Sequence, residues 1–293
     1  MIPARFRALL RARAMPLIVA VALLLETLDA SVIATALPDI ARDLDTSPIH
    51  LKLAMTSYLL ALAIFIPASG WAADRFGARR VFRWAIAVFA LGSIACGMAN
   101  SMQGLIAARV LQGIGGSMMV PVGRLIVLRT TEKSDLVSAL AWLTVPALVG
   151  PVLGPLLGGF ITTYWSWRWI FWINIPIAAA GLVLVTLFIP AIRSDEVRSF
   201  DGVGFALLGP GLAAFLTGVT LAGLGMAEPV WSVVLTLGGL ALVLAYTGHA
   251  KRVTAPLIDL TLLQIPTFRI AAVGGTFFRV GAGARPFLLP LLF

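Results

Sequence analysis

The sequence predicts an all-α polytopic membrane protein. Of its 293 residues, 60% are hydrophobic and 12% are charged, and the mean hydropathy is +0.99. A soluble domain averages about 25% charged residues, so this chain carries more apolar surface than a water-facing fold can bury. The apolar residues also form continuous runs, which favours spanning helices over the alternating pattern of barrel strands.

Nine of these runs are long and apolar enough to be predicted as membrane spans. They cover roughly 16–38, 51–72, 81–99, 104–127, 136–162, 169–191, 202–225, 230–249 and 270–293. The basic N-terminus followed by an apolar run is also typical of a signal peptide. Because the first run continues to about residue 38 without a clear cleavage pattern, we interpret it as a retained span.

Lys and Arg are distributed unevenly between the two sets of loops. Fifteen lie in loops on one side, whereas only Arg42, Lys52 and Arg168 lie on the other. Cytoplasmic loops are enriched in these residues, so we predict a multi-pass protein of the cytoplasmic (inner or plasma) membrane with a cytoplasmic N-terminus. The net charge of +9 then reflects topology and contact with membrane lipid, and no nucleic-acid partner is expected.

The stretch "LLLETLDASVIATALPDI" (23–40) places two carboxylates in the first span. Glu26 and Asp29 are three residues apart, so they share one face of a helix. An ionisable residue within a span is costly and usually faces a cavity or a partner. One interpretation is that such a carboxylate exchanges a proton; the other is that both acids only pair with a basic residue on another helix.

The stretch "RVLQGIGGSMMVPVGR" (109–124) combines charge and small residues in the fourth span. Arg109, Gln112, Gly113 and Gly116 follow at i, i+3, i+4 and i+7, so they lie on one helical face. An intramembrane Arg needs an acceptor, and the acids of the first span are the nearest in chemistry. The alternative is an Arg that extends its head to the interface.

The loop after the second span reads "GWAADRFGARR" (70–80). Gly70 and Gly77 permit a tight turn, and Asp74 can cap a helix start or form an ion pair within the loop. The predicted partners of this aspartate are Arg75, Arg79 and Arg80. The alternative is an ordinary basic cytoplasmic loop.

The fifth span contains "GPVLGPLLGG" (150–159). Gly150, Gly154 and Gly158 repeat every four residues, which predicts a flat groove for a neighbouring helix. Pro151 and Pro155 each remove a backbone donor and are expected to bend the helix. The motif therefore predicts helix packing, a hinge, or both.

A few other residues carry weaker signals. Asn174 is polar at the start of the sixth span, after an aromatic segment that is typical of a membrane interface. Cys96 is the single cysteine, so it cannot form an internal disulfide, and no metal-ligating residues lie beside it in the sequence. His50 and His249 lie near span ends. The sequence contains no nucleophile–base pattern and no phosphate-binding loop, so we do not expect an enzyme.

Taken together, these motifs resemble those of the major facilitator superfamily, in particular its fourteen-span drug:proton antiporter branch. "GWAADRFGARR" resembles the superfamily's loop 2–3 signature, "LIAARVLQGIGGS" its fourth-span signature and "GPVLGPLLGG" the antiporter signature of the fifth span. "LDASVIATALPDI", "WRWIFWINIP" and "APLIDLTLL" are similar to other segments of this branch. The sequence departs from the first-span signature at Ser31 and Thr35 and from the loop signature at Ala72 and Ala78.

This resemblance implies proton-coupled efflux of amphipathic small molecules, driven by the proton gradient without a cofactor or metal. It implies that Asp29 and Arg109, with Gln112 beside them, take part in proton exchange; Glu26 lies outside the family pattern, and its attraction for cationic substrate is a hypothesis from position. It implies a cytoplasmic gate formed by Gly70, Asp74, Arg75, Gly77, Arg79 and Arg80. It implies an antiporter helix carrying Gly150, Pro151, Gly154, Pro155, Gly158 and Gly159.

The resemblance also predicts a domain organisation. Residues 1–191 would form a six-span half, 192–249 a cytoplasmic loop with two extra linker spans, and 250–293 a loop with the first span of an incomplete second half. We therefore expect an N-terminal part of an exporter, whose partner would be the missing C-terminal half or a second chain. The alternatives are a truncated, non-transporting remnant and a facilitator for metabolites, although the glycine–proline repeat favours an antiporter.

Overall fold

The computed structural model describes residues 4–193, 197–225 and 228–288. In these ranges every element of regular secondary structure is a helix. The helices are α1 Ala4–Asp43, α2 Pro48–Phe65, α3 Ser69–Phe76, α4 Ala78–Gly97, α5 Met102–Thr130, α6 Leu136–Tyr164, α7 Trp169–Trp172, α8 Asn174–Phe188, α9 Gly202–Leu224, α10 Pro229–Ala250 and α11 Pro266–Leu288. Short 3₁₀ turns, Ile66–Ala68 and Leu260–Gln264, connect α2 to α3 and lead into α11.

Within the described ranges, eight helical segments are long and apolar enough to cross a membrane. The second combines α2, the 3₁₀ turn and α3 (Ile49–Phe76), and the sixth combines α7 and α8 (Trp169–Phe188). These eight match the first eight predicted spans, although the first helix continues to Asp43. The ninth predicted span corresponds to α11, which is not among the eight, and residues 289–293 lie outside the described ranges, so this span stays a prediction.

Polar side chains and glycine define where several helices begin and end. Ser47 accepts a hydrogen bond from the backbone N–H of His50, and Ser101 accepts one from Gly104, so both serines cap helix N-termini. Gly77 separates α3 from α4 with φ = +89°, a left-handed conformation that other residues adopt with strain. The predicted turn therefore forms at Gly77, whereas Gly70 lies inside α3.

The first six spans pack into one bundle with two apolar clusters along its axis. One cluster is centred on Phe82, Phe89 and Met119, and the other on Ile33 and Phe171. Both α1 and α5 contribute to each cluster. Between the clusters lies a thin layer of buried polar side chains, which contains the candidate site.

Helices α9 and α10 pack against each other, and α9 also packs on α2. Asp201, just before α9, ties this pair to the segment that follows α10. Its carboxylate lies 2.8 Å from His249 Nε2 and accepts the backbone N–H groups of Gly204 and Leu257 at 2.7 and 3.1 Å. Burial alone would raise the pKa of Asp201. The hydrogen bonds from His249 and the two backbone N–H groups lower this pKa by more than burial raises it, so the pKa lies below its ordinary value.

Candidate functional site: a buried ion pair in a polar layer

The centre of the polar layer is an ion pair between α1 and α5. Arg109 Nη1 donates to Asp29 Oδ2 at 2.6 Å, and both side chains are 1% exposed. The predicted pairing of Arg109 with an acid of the first span is therefore present, and that acid is Asp29. Arg109 does not extend to the interface.

Gln112, one helical turn after Arg109, joins both members of the pair. Its Oε1 accepts a hydrogen bond from Arg109 Nη1 at 2.6 Å, and its Nε2 donates to Asp29 Oδ1 at 2.8 Å. The i, i+3 spacing that placed the two side chains on one face thus allows both to reach the same carboxylate.

Two further residues of the layer were not assigned to the site from the sequence. Asn174 Nδ2, at the start of α8, donates to Asp29 Oδ1 at 2.8 Å and to Ser93 Oγ at 3.0 Å. Ser93, on α4, also accepts from Gln112 Nε2 at 2.7 Å. Asn174 was visible in the sequence as a polar residue in a span, but nothing in the local pattern distinguishes Ser93 from other serines of the spans.

Aromatic rings cover the arginine. The Arg109 guanidinium carbon lies 4.2 Å from the centre of the Tyr58 ring and 6.0 Å from that of Phe171. Such stacking stabilises a cation whose hydration has been removed. Arg109 is therefore held by a carboxylate, an amide oxygen and two ring faces.

Glu26 lies one turn before Asp29 and outside the hydrogen-bonded cluster. Its Oε2 atom is buried and has no hydrogen-bond partner among the described residues, and the same is true of the Tyr58 hydroxyl. A buried carboxylate oxygen is costly without a partner, so this corner of the layer is suited to bind a proton or a cationic group.

At one end of the bundle, Asp74 joins α3 to α5. Its Oδ1 atom accepts from Arg129 Nη2 at 2.8 Å, with both side chains about one-third exposed. The prediction that its partner is Arg75, Arg79 or Arg80 is therefore wrong, because α3 presents Asp74 to the end of α5. Nor does it cap a helix start, since it lies in the last turn of α3.

The segment after α8 lies against this same loop. The backbone N–H of Ala78 donates to Ile192 O at 3.0 Å, and Arg79 Nη2 donates to the carbonyl oxygen of Thr186. The indole of Trp71 donates to Arg198 O at 3.2 Å. Arg75 and Arg80 are exposed. Of the predicted gate residues, Asp74 therefore contacts α5 and Arg79 contacts the end of α8.

The predicted groove of the fifth span is filled by the helix that carries the acids. A Cβ at Gly150, Gly154 or Gly158 would overlap Thr27, Ser31 or Thr35, respectively. In addition, Ser31 Oγ donates to Gly150 O at 3.0 Å. Three glycines of α6 thus match three small hydroxyl residues of α1 at the same four-residue spacing.

The other members of this motif point elsewhere. A Cβ at Gly159 would meet no atom within 4 Å. Pro151 and Pro155 lie on the exposed side of α6. The motif therefore has a packed glycine face and an exposed proline face.

The described part of the chain brings together no group of three or more His, Cys, Asp or Glu side chains that would hold a metal ion. The chemistry offered by the cluster is that of one carboxylate with a cation and two amides around it. In the structure the carboxylate neutralises the charge of Arg109.

Comparisons with known proteins agree with this architecture. The "Putative multidrug resistance protein MdtD" of Salmonella heidelberg (strain SL476) and that of Salmonella typhimurium (strain LT2) are each 41% identical over 275 residues, which is 94% of this chain and 58% of each relative. The chain thus spans less than two thirds of the length of these relatives.

Solved structures resemble the chain in fold. The human organic anion transporter MFSD10 matches with a TM-score of 0.55 and 19% identity over 72% of this chain and 56% of its own. The POT family transporter PepTSo matches with a TM-score of 0.57 and 16% identity over 89% and 58%. A model of the Major Facilitator Superfamily matches residues 19–292, and the chain therefore belongs to this superfamily of membrane transporters.

Proposed function

We propose that the protein is a proton-coupled exporter of amphipathic small molecules and belongs to the fourteen-span antiporter branch. In this proposal it lies in the cytoplasmic membrane with its N-terminus in the cytoplasm. Superfamily membership and the similarity to proteins named for multidrug resistance support a transporter of this class. The observation that carries the proposal is the buried Asp29–Arg109 pair between the two apolar clusters.

The pair suits proton coupling because protonation changes its energy. Ionised Asp29 neutralises Arg109 in a site without solvent contact, and a proton on the carboxyl group removes that neutralising charge. A buried arginine without a counter-ion is strongly unfavourable. Proton uptake at Asp29 would therefore favour another helix arrangement in which Arg109 is better satisfied.

Glu26 supports a substrate of cationic character. Its Oε2 atom has no hydrogen-bond partner among the described residues and lies one helical turn before Asp29. A lipophilic cation would supply the positive charge that this carboxylate oxygen can accept, while its apolar body would suit the apolar interior of the bundle. In this proposal the substrate and the proton compete for the negative charge of the layer.

The two other motifs would transmit the change. Gly150, Gly154 and Gly158 pack α6 closely on α1, and we call this contact the glycine interlock. Because the interlock holds the two helices together, α6 would follow any displacement of Asp29. The Asp74–Arg129 pair would hold the cytoplasmic end of α3 on α5 until the helices move. Both roles follow from contacts across helices that alternating access rearranges.

Transport by the full chain in proteoliposomes tests this function. The proteoliposomes are loaded with tetraphenylphosphonium and assayed with and without a pH gradient. The wild-type chain is expected to move the cation only when the gradient is present. Asp29→Asn keeps the size of the side chain but removes the titratable group, so gradient-driven movement should be lost while membrane insertion remains normal.

Asp39→Asn is the matched control, because Asp39 lies on the same helix in a partly exposed pair with Arg42. It should transport as the wild type does. If the wild-type chain moves the cation equally with and without the pH gradient, the chain is a facilitator. If it does not move the cation under either condition, the chain does not transport. Either result contradicts the proposal.

A further inference from the structure

The amide of Asn174 and the hydroxyl of Ser93 complete the cluster around Asp29, and neither belongs to the helix that supplies Arg109. Ser93 lies on α4 and Asn174 on α8, and both side chains have no solvent exposure. Their contacts therefore depend on how α4 and α8 are placed relative to α1.

Hydrogen-bond chemistry fixes the direction in which the two amides point. Ser93 Oγ accepts from Gln112 Nε2 and from Asn174 Nδ2, which uses both lone pairs of the hydroxyl. Each amide nitrogen has one hydrogen left, and each donates it to Asp29 Oδ1 at 2.8 Å. Reversal of either amide would place its carbonyl oxygen against the carboxylate.

Ionised Asp29 consequently accepts three hydrogen bonds, from Arg109, Gln112 and Asn174. A carboxylate is an acceptor only, whereas a protonated carboxyl group must donate one hydrogen. Donors aimed at the carboxylate therefore favour the ionised form. A loss of any one donor favours proton uptake.

The three donors are not equivalent, because two of them come from α5. Arg109 and Gln112 move together with that helix, whereas Asn174 moves with α8. A displacement of α8 relative to α1 would remove one donor from Asp29 and leave the ion pair in place. The number of donors around the carboxylate thus depends on the position of α8.

We propose that Asn174, aimed by Ser93, is a positioning residue through which the placement of α8 controls proton uptake by Asp29. This inference rests on the proposed function, since it assigns a controlling group to the same carboxylate. In the described part of the chain, the other titratable groups close enough to Asp29 to interact with its charge are Arg109 on α5, Glu26 on α1, Tyr58 on α2 and Cys96 on α4. The α8 sequence contains no titratable side chain, so Asn174 is the polar contact by which that helix reaches the carboxylate.

Infrared titration of the full chain in lipid tests the inference without requiring transport. The stretching band of protonated Asp29 is identified by its absence in Asp29→Asn, and its intensity is followed against pH. Asn174→Leu removes one donor, and Ser93→Ala removes the acceptor that aims two. Each is expected to raise the midpoint of the Asp29 band by about one pH unit, roughly a tenfold gain in proton affinity.

Ser117→Ala is the matched control for Ser93→Ala. Ser117 is also fully buried in a span, but its hydroxyl donates to Ile114 O of its own helix at 2.7 Å. Its removal should leave the midpoint unchanged. Thermal melts of the helical circular dichroism signal show which variants fold. Ser93→Ala and Asn174→Leu change different helices, so one still tests the inference if the other does not fold.

The outcomes separate this inference from the proposed function. A midpoint that moves in Ser93→Ala and Asn174→Leu but not in Ser117→Ala supports the positioning role. If the Asp29 band titrates but its midpoint stays unchanged in Ser93→Ala and Asn174→Leu, or moves equally in Ser93→Ala and Ser117→Ala, the positioning role is wrong and the proton role stands. If no titrating band is lost in Asp29→Asn, the proton role fails and the inference with it.

Discussion

At the scale of single residues, Arg109 links several members of the polar layer. Its Nη1 group donates to Asp29 and Gln112, and its guanidinium stacks on Tyr58. Arginine suits this position better than lysine, because its planar group makes several directed hydrogen bonds and stacks on a ring. Both side chains of the Asp29–Arg109 pair are buried, so removal of either one leaves an uncompensated charge in the bundle.

We therefore expect Arg109→Met to destabilise the bundle by about 3–5 kcal/mol, the range for one partner removed from a buried ion pair. Arg109→Met combined with Asp29→Asn should cost less than the two single changes together, since the second change removes the unpaired charge. Denaturant unfolding in detergent, followed by circular dichroism, measures both.

Arg42→Met provides the comparison, because Arg42 is largely exposed in its pair with Asp39. That change should cost no more than about 1 kcal/mol. Equal losses for Arg42→Met and Arg109→Met would show that burial of the Asp29 pair adds nothing to stability.

At the scale of helices, α1 and α6 make a close contact through a glycine face. The glycines at 150, 154 and 158 let the α6 backbone approach α1, and Ser31 adds a hydrogen bond to the Gly150 carbonyl group. Asp29 lies within this contact segment of α1. The glycine motif thus fixes the helix that presents the carboxylate.

Gly154→Ala is expected to lower the free energy of unfolding by about 1–3 kcal/mol, the usual cost of overpacking. The added Cβ would lie 2.6 Å from Ser31 Cβ and 3.1 Å from the Ser31 carbonyl carbon, so rotation of the hydroxyl cannot relieve the overlap. Unfolding of the purified variant in detergent checks this.

Gly159→Ala is the control in the same helix and motif. Because a Cβ at Gly159 meets nothing within 4 Å, alanine should stabilise the helix by about 0.5–1 kcal/mol. Similar effects of the two alanines would contradict the interlock.

At the scale of the whole molecule, ion pairs join helices at opposite ends of the bundle. Asp74 and Arg129 connect the ends of α3 and α5, whereas Asp43 and Arg168 connect the end of α1 to the start of α7 at 2.7 Å. The loops with many Lys and Arg lie at the first end, as an up-and-down arrangement of spans requires. The orientation follows if that end faces the cytoplasm.

Labelling with an impermeant thiol reagent checks the orientation. Lys133→Cys lies in the exposed loop between α5 and α6 and should react only from the cytoplasmic side, whereas Ser166→Cys, in the loop before α7, should react only from outside. The wild-type chain is the control, because its single cysteine, Cys96, is buried and should not react. The opposite labelling pattern would reverse the predicted topology.

Local sequence determined the spans and part of the site. A span follows from hydropathy summed over about 20 neighbouring residues, so eight of the predicted spans could be located without tertiary contacts. A pairing of Arg109 with an acid of the first span was predictable because buried charges in spans are few and each needs a partner. The structure decided that this acid is Asp29 rather than Glu26. The four-residue glycine repeat likewise predicted a close helix contact.

Only the tertiary structure decided which surfaces meet. Asn174 reaches Asp29 across 145 positions of the chain, and Ser93 reaches Gln112 on a neighbouring helix. Arg129, rather than an arginine of its own loop, pairs with Asp74. These contacts depend on the rotation and register of packed helices. A local pattern states which face of a helix is polar or small, but the faces that come together are set by the packing of the whole bundle.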